Sequence, residues 1–113
     1  MRQRARYVFM VQWPDGRAYS GGFKQDVRHG SGRFLWQDGA CFDGAWKDGV
    51  PNGDGAFSWP GGMTWRGPYK DGCKHGDGVF EAADGVRYSG SYLFDRRHGP
   101  GHQTWPDGRS LLH

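Results

Sequence analysis

The chain is short of the side chains from which most protein cores are built. Only 35% of its 113 residues are hydrophobic, and aliphatic residues are few. No apolar run approaches about 20 residues, which excludes a membrane-spanning helix. The N-terminal segment also lacks the hydrophobic stretch of a signal peptide. These absences lead us to expect a cytoplasmic protein in a reducing compartment.

Glycine and aromatic residues are abundant instead, with 21 glycines and 16% aromatic residues. Glycine-rich polar chains are often disordered, but rings placed at regular intervals favour a folded chain whose burial comes mainly from aromatic packing. The formal net charge is +3. Part of the excess lies in a basic arm at residues 1–6, and beyond it basic and acidic residues alternate. That pattern is typical of a solvated surface, so we expect no nucleic-acid binding.

The rings and glycines recur with a period of 23 residues. Each unit begins with an aromatic–x–Gly–x–aromatic segment and continues with "HGSG", "NGDG", "HGDG" or "HGPG", followed by two more rings in the first two units and by one in the last two. A closing glycine ends each unit, and "WPDG" at 13–16 marks a half unit before the first full one. The chain is therefore divided into a basic arm (1–6), a half repeat (7–18), four repeats (19–41, 42–64, 65–87 and 88–110) and a tail (111–113).

Each unit is predicted to form a two-stranded antiparallel hairpin. Within a segment such as Tyr19–Gly21–Phe23 the pattern has a period of two, which is the period of a strand. A strand glycine leaves room for a ring from the neighbouring strand to lie across its backbone. "WPDG", "QDG" and "PGG" are typical turn sequences, and we expect the "HGxG" segments to supply the other reversal.

The pattern aromatic–Gly–aromatic, His-Gly-x-Gly, Asp-Gly resembles the MORN repeat (membrane occupation and recognition nexus). It is seen in "YSGGFKQDVRHGSG", "FDGAWKDGVPNGDG", "WRGPYKDGCKHGDG" and "YSGSYLFDRRHGPG". The resemblance implies an all-β fold: an elongated, twisted, single-layer antiparallel sheet of hairpins, with rings lining a groove. Ala82 and Gln103 replace rings, so the C-terminal part of the groove should be shallower.

The residues give little support for catalysis or for a metal. His29, His75 and His98 hold equivalent positions, and equivalent positions in adjacent repeats lie about 10 Å apart, already too far to share a zinc ion. They are interpreted as turn residues. Cys41 and Cys73 are expected at opposite ends of the strands, beyond disulfide reach. We expect no enzyme activity, no cofactor and no metal.

An aromatic sheet face with no second layer over it should leave an apolar groove, and such patches mark interaction sites. We therefore predict a non-catalytic scaffold or adaptor that clamps a helical or extended segment of a partner protein. Resemblance to small MORN proteins implies a cytoskeletal setting, in a ciliary or flagellar axoneme or another cytoskeletal assembly. The predicted groove residues are Tyr19, Phe23, Phe34, Trp36, Phe42, Trp46, Phe57, Trp59, Trp65, Tyr69, Phe80, Tyr88, Tyr92 and Trp105.

Two alternatives remain open. Arg28, Lys74, Arg96 and Arg97 are expected in hairpin loops on one edge of the sheet, where they could bind anionic phospholipids and make the protein a peripheral membrane module. Aspartates beside them reduce the positive potential of that edge. The two terminal strands are expected to be open edges, through which copies of the chain could associate.

Overall fold

The computed structural model describes residues 7–112, which form one open antiparallel sheet without a helix. The basic arm predicted at residues 1–6 and the last residue of the predicted tail lie outside the described residues. Strands follow one another in the sheet in chain order, except that β7 and β8 both pair with β6. The strands are β1 (Tyr7–Gln12), β2 (Ala18–Lys24), β3 (Val27–Leu35), β4 (Cys41–Lys47), β5 (Val50–Ser58), β6 (Thr64–Lys70), β7 (Cys73–Lys74), β8 (Gly76–Glu81), β9 (Arg87–Leu93), β10 (Arg96–Thr104) and β11 (Ser110–Leu112).

The molecule is elongated, with extents of 59 × 28 × 19 Å and a radius of gyration of 16.4 Å. A compact domain of about 100 residues has a radius near 13 Å. A repeat that contacts only its two neighbours produces this shape, because the sheet grows in one direction. The all-β, single-layer prediction is confirmed.

Each full repeat consists of a first strand and a second strand. The first strands are β2, β4, β6 and β9, and the second strands are β3, β5, β7 with β8, and β10. By the 23-residue period, β1 corresponds to a second strand and β11 to a first strand. All neighbours in the sheet therefore join a first strand to a second strand.

The turns between repeats are formed by the "WPDG" segments and their equivalents, as predicted. In the first of them the Gly16 amide donates to the Trp13 carbonyl (3.0 Å) and the Trp13 amide donates to the Arg17 carbonyl (2.9 Å). Gly16 has a φ of 99°, which glycine adopts without strain. The corresponding glycines at 39, 62, 85 and 108 have φ between 92° and 99°.

The prediction that the "HGxG" segments reverse the chain inside each repeat is wrong. The reversal comes earlier, in a two-residue turn with positive φ at both positions: Gln25–Asp26, Asp48–Gly49, Asp71–Gly72 and Phe94–Asp95. Positive φ at both positions defines a type I′ turn, whose twist matches that of the flanking strands. The "HGxG" segments instead form an irregularity in the second strand, where the register with the first strand shifts.

The histidines are therefore not turn residues. His29 and His98 lie in second strands, and His75 lies between β7 and β8. Cys73 likewise belongs to β7 rather than to a loop, and both cysteines are free thiols, with Cys41 buried.

The core of this one-layer sheet is formed by rings that lie over glycines. In every repeat the first ring, at position 19, 42, 65 or 88, lies across a glycine of the second strand, at 32, 55, 78 or 101. A Cβ at any of these glycines would overlap that ring. Tyr19 and Trp65 are completely buried in this way and Phe42 is 2% exposed. The predicted interdigitation of rings and glycines is confirmed.

A groove of rings and cations

Two rows of rings run along the aromatic face. The first row is a zigzag of seven rings in edge-to-face contact, with centroids 4.9–5.4 Å apart and planes at 83–88°. This geometry is the preferred one for aromatic pairs, because the electropositive ring edge meets an electronegative face. In order, the row consists of Phe23, Tyr19, Trp46, Phe42, Tyr69, Trp65 and Tyr92.

The second row consists of tilted rings with centroids 4.5–6.0 Å apart. Its members are Trp13, Phe34, Trp36, Phe57, Trp59 and Phe80. The next two positions along this row are held by Ala82 and Gln103, where the sequence indicated a shallower groove. Among the rings whose burial the structure describes, the buried ones all belong to residues 19–69, so burial also decreases toward the C-terminus.

An open groove of about 480 Å³ lies between and above these rows. Its floor includes the buried rings of Phe42 and Trp46, and its walls carry the half-exposed rings of Trp36, Phe57 and Trp59. The cations of Arg17, Arg28 and Lys74 and the carboxylate of Asp95 also line it. The groove is therefore both apolar and cationic.

Arg28 lies over the rings at one end of the groove. Its guanidinium carbon is 5.0 Å from the centroid of Trp46 and 5.5 Å from that of Phe34. The guanidinium also donates to the Gly49 carbonyl (3.1 Å). Distances below about 6 Å permit cation–π attraction. This contact holds the charge against the aromatic face.

Lys74 has the same place two repeats further on. Its ammonium nitrogen is 5.3 Å from the Trp65 centroid, 5.7 Å from that of Trp59 and 5.8 Å from that of Tyr92. Its amide donates to the carboxylate of Asp95 (2.7 Å), and its carbonyl accepts from the Asp95 amide (2.9 Å). The position of Lys74 is therefore fixed by the next hairpin.

The expectation that the four basic residues lie in hairpin loops is wrong, although all four lie on the side of the sheet where the hairpin tips are. All four lie at the starts of second strands, because the turns come earlier than predicted. Arg28 and Lys74 belong to the groove, and Arg97 stacks on Tyr88, 4.1 Å from its centroid. Arg96, one residue earlier in the repeat, is exposed. Arg28, Lys74 and Arg97 hold the same position in their repeats, and Pro51 holds that position in the second repeat. This equivalence in the sequence is the signal that could have identified the three cations as one set.

The predicted groove residues fall into two sets. Six of them form the buried core cluster and support the groove from below: Tyr19, Phe34, Phe42, Trp46, Trp65 and Tyr69. The other eight are half-buried: Phe23, Trp36, Phe57, Trp59, Phe80, Tyr88, Tyr92 and Trp105. Trp13, which the site prediction omitted, is also half-buried and packs against Phe34.

Burial changes the acidity of two core phenols. Burial, with a contribution from the Asp95 carboxylate, raises the pKa of Tyr69 to about 12. Burial also raises the pKa of Tyr19, while the Arg28 guanidinium opposes the rise. Both hydroxyls stay neutral at physiological pH, so the charges that face the groove come from Arg28, Lys74 and their neighbours. Within residues 7–112 no cluster of three or more His, Cys, Asp or Glu is arranged to hold a metal ion.

The fold and this groove define a class of protein: a one-layer sheet of repeats whose aromatic face has no second layer packed over it in the described residues. The family model of the MORN repeat matches residues 19–41, 42–64 and 88–108, more than half of the chain. The chain belongs to the MORN-repeat family. Residues 65–87, outside these matches, fold into the same kind of hairpin. No curated protein sequence matches the chain.

MORN repeats indicate interaction with proteins or membranes in general. No helix in the described part of the chain is long and apolar enough to cross a membrane.

Proposed function

We propose that the protein is a non-catalytic scaffold that holds an amphipathic helix of a partner protein in the groove of rings and cations. The observation that carries this proposal is the groove itself, in which the partly exposed rings of Trp36, Phe57 and Trp59 line the same surface as the cations of Arg28 and Lys74. An apolar groove with aromatic anchors takes the apolar face of a helix. Rings with few rotatable bonds lose little entropy on binding, which favours them as anchors.

The two cations specify the polar part of the partner. Arg28 and Lys74 are two repeats apart, and four strand spacings of about 4.8 Å separate them by about 19 Å. An α-helix rises about 1.5 Å per residue, so acidic side chains about 13 residues apart would meet both cations. The proposed partner segment therefore has an apolar stripe flanked by acidic residues. Opposite charges at such sites contribute mainly to specificity and association rate.

A displayed library of helical peptides tests this proposal. The wild-type protein should enrich peptides with an apolar face and acidic residues, and binding should change tryptophan fluorescence because Trp36 and Trp59 line the groove. The double variant Arg28→Glu/Lys74→Glu should lose those peptides and enrich basic ones. Arg66→Glu is the matched control, because Arg66 is exposed on the opposite face and changes the net charge in the same direction.

Two results would contradict the groove proposal. One is enrichment that is the same for the double variant and the wild type. The other is an affinity that Trp59→Ala leaves unchanged in a folded protein. Trp46→Ala is unsuitable for this purpose, since Trp46 is buried and its indole donates to the Gly32 carbonyl (3.0 Å). Its loss would damage the core.

The proposed setting is cytoskeletal, in a ciliary or flagellar axoneme. It is supported by the resemblance of the sequence to small MORN proteins. Tagged wild-type protein in flagellated cells should follow the axoneme, and the Arg28→Glu/Lys74→Glu variant should become diffuse. A wild-type signal distributed evenly through the cytoplasm would refute this setting.

A second function, binding to an anionic membrane surface, is favoured by the tip of the fourth hairpin. Phe94 is 51% exposed there and lies beside the exposed Leu93 and Arg96. The equivalent tip position in the other hairpins holds Gln25, Asp48 or Asp71. An aromatic ring next to basic residues can insert at the headgroup boundary while the charges meet the lipid phosphates.

Vesicles with and without phosphatidylserine test the second function. Binding should require the anionic lipid, weaken with salt and decrease in Phe94→Asn and in Arg96→Gln. Asp48→Asn alters the same turn position in the second hairpin and should leave binding unchanged. Binding that ignores both salt and Phe94→Asn would exclude this hairpin as a membrane contact.

A further inference from the structure

The two edges of the sheet are different and complementary. Within the described residues, β1 pairs only with β2, and β11 pairs only with β10. In repeat phase β1 is a second strand and β11 a first strand, and all neighbours inside the sheet join these two kinds. An unpaired edge displays free amide and carbonyl groups that can pair with another strand. The edge of β11 is the kind that pairs with β1.

Both edge strands carry exposed apolar side chains on the face opposite the rings. Met10 in β1 is 58% exposed and Leu112 in β11 is 77% exposed. By the 23-residue period, Met10 holds the position of Arg33 and Leu112 holds the position of Ser20, which pair with each other across β2 and β3. Met10 and Leu112 are thus the two halves of one cross-strand pair, at opposite ends of a sheet that is 59 Å long.

In each of the four repeats, at least one member of the equivalent cross-strand pair is a polar side chain. The pairs there are Ser20–Arg33, Asp43–Ala56, Arg66–Val79 and Ser89–His102, where the last pair is in register in β9 and β10. Polar groups suit a face that meets water, whereas the side chains of Met10 and Leu112 leave apolar area exposed there. Pairing Met10 with Leu112 would remove that area from water.

We propose that copies of this chain associate head to tail, with β11 of one copy pairing with β1 of the next. In the register of β2 and β3, Ser110 would lie opposite Gln12 of the next copy, Leu111 opposite Val11 and Leu112 opposite Met10. Leu111 then takes the place of Tyr19 and Val11 that of Phe34, so the aromatic face continues as an apolar one. The contact completes a repeat from two chains.

Other arrangements of two copies match the sheet less well. Pairing two β1 edges, or two β11 edges, would place strands of one kind side by side, an arrangement that is not found between β1 and β11 of this sheet. A head-to-tail contact leaves one free edge at each end, so association continues beyond a dimer. The groove lies on the aromatic face between the edges, and this proposal does not depend on what the groove binds.

Sedimentation velocity over a wide range of protein concentration tests the proposal. The wild-type mass should rise continuously with concentration, because β11 is only three residues long and the contact is weak. Met10→Glu and Leu112→Glu should each be monomeric alone, since each destroys one half of the single interface. Mixed together, these two variants should form a dimer and nothing larger, through the intact β11 of one and the intact β1 of the other.

The control is Val50→Glu, which places the same charge on an exposed site at a hairpin tip, away from both edges, where the fourth repeat has Arg96. It should associate like the wild type. A wild-type mass that stays monomeric, or that levels off at a dimer, would overturn the proposal. So would persistent association of either edge variant alone, which is the result that edge pairing of like strands requires.

Discussion

The glycine beneath each ring should be the least replaceable residue in its repeat, and Gly55→Ala tests this directly. Gly55 has no positive φ, so alanine can adopt its backbone conformation and the substitution acts through the added Cβ alone. That Cβ would overlap the Phe42 ring and lie 3.3 Å from Cδ1 of Tyr69. Phe42 cannot move aside easily, because it is held edge to face between Trp46 (5.4 Å) and Tyr69 (4.9 Å).

Overpacking of a core usually destabilises by about 1–3 kcal/mol, and a ring fixed on both sides places Gly55→Ala near 3 kcal/mol. For a domain of this size about 1 kcal/mol lowers the Tm by about 4 °C, so we expect a decrease of about 12 °C. Near-ultraviolet circular dichroism during thermal unfolding would measure it, since the signal comes from the packed rings.

Two comparisons make the Gly55→Ala result specific. Asp54→Ala changes the adjacent residue, which is exposed, and should alter stability by less than about 0.5 kcal/mol. In a Phe42→Leu background the overlapping ring atoms are gone, so Gly55→Ala should become nearly neutral and the double-mutant cycle should show a coupling of about 2–3 kcal/mol. Equal losses from Gly55→Ala in both backgrounds would refute the ring-over-glycine explanation.

Two further predictions concern pH and turn strain. The pKa of Tyr69 rises from 10.0 to about 12 in the fold, so its contribution to stability is complete below pH 10 and is lost as the pH rises toward 12, by about 2 kcal/mol. Tyr69→Phe should flatten that loss in chemical denaturation at alkaline pH, and an unchanged slope would contradict it. Phe94 has a φ of 47° in a type I′ turn, where asparagine is favoured. Phe94→Asn should raise the free energy of unfolding by about 1 kcal/mol, and a lower Tm would show that the contact of Phe94 with His75 outweighs the strain.

The repeat architecture could be predicted from the sequence because its determinants are local. A strict period of 23 residues fixes which positions are equivalent, and alternation of rings and glycines fixes the strand faces. The turn at Pro14–Gly16 follows from backbone preferences of proline and glycine within a few residues. None of these inferences requires knowledge of how distant residues meet.

The tip of each hairpin could not be predicted by the same rule. Gln25–Asp26 and Phe94–Asp95 adopt positive φ without any glycine, while the glycine-rich "HGxG" segments form bulges within strands. Glycine content indicated an irregular backbone in the "HGxG" segments but not at these two tips, and it did not distinguish a chain reversal from a bulge. That distinction depends on the register between the two strands, which neighbouring hairpins help to fix. The Gly49 amide, for example, donates to the Arg28 carbonyl of the preceding repeat (3.0 Å).

The same kind of hydrogen bond between repeats holds the position of Arg28 and Lys74 beside the rings, which is why the groove is both aromatic and basic. The carbonyls of Arg28, Pro51 and Lys74 each accept an amide from the tip of the next hairpin, which fixes this repeat position beside the rings. The first ring of each repeat must stay aromatic to cover its glycine, so that position has little freedom to distinguish partners. The position of Arg28, Pro51 and Lys74 contributes its backbone to the fold and its side chain to the groove. The side chain at this position can change charge from repeat to repeat without disturbing the sheet. We therefore expect partner specificity to depend on which residue each repeat has at this position.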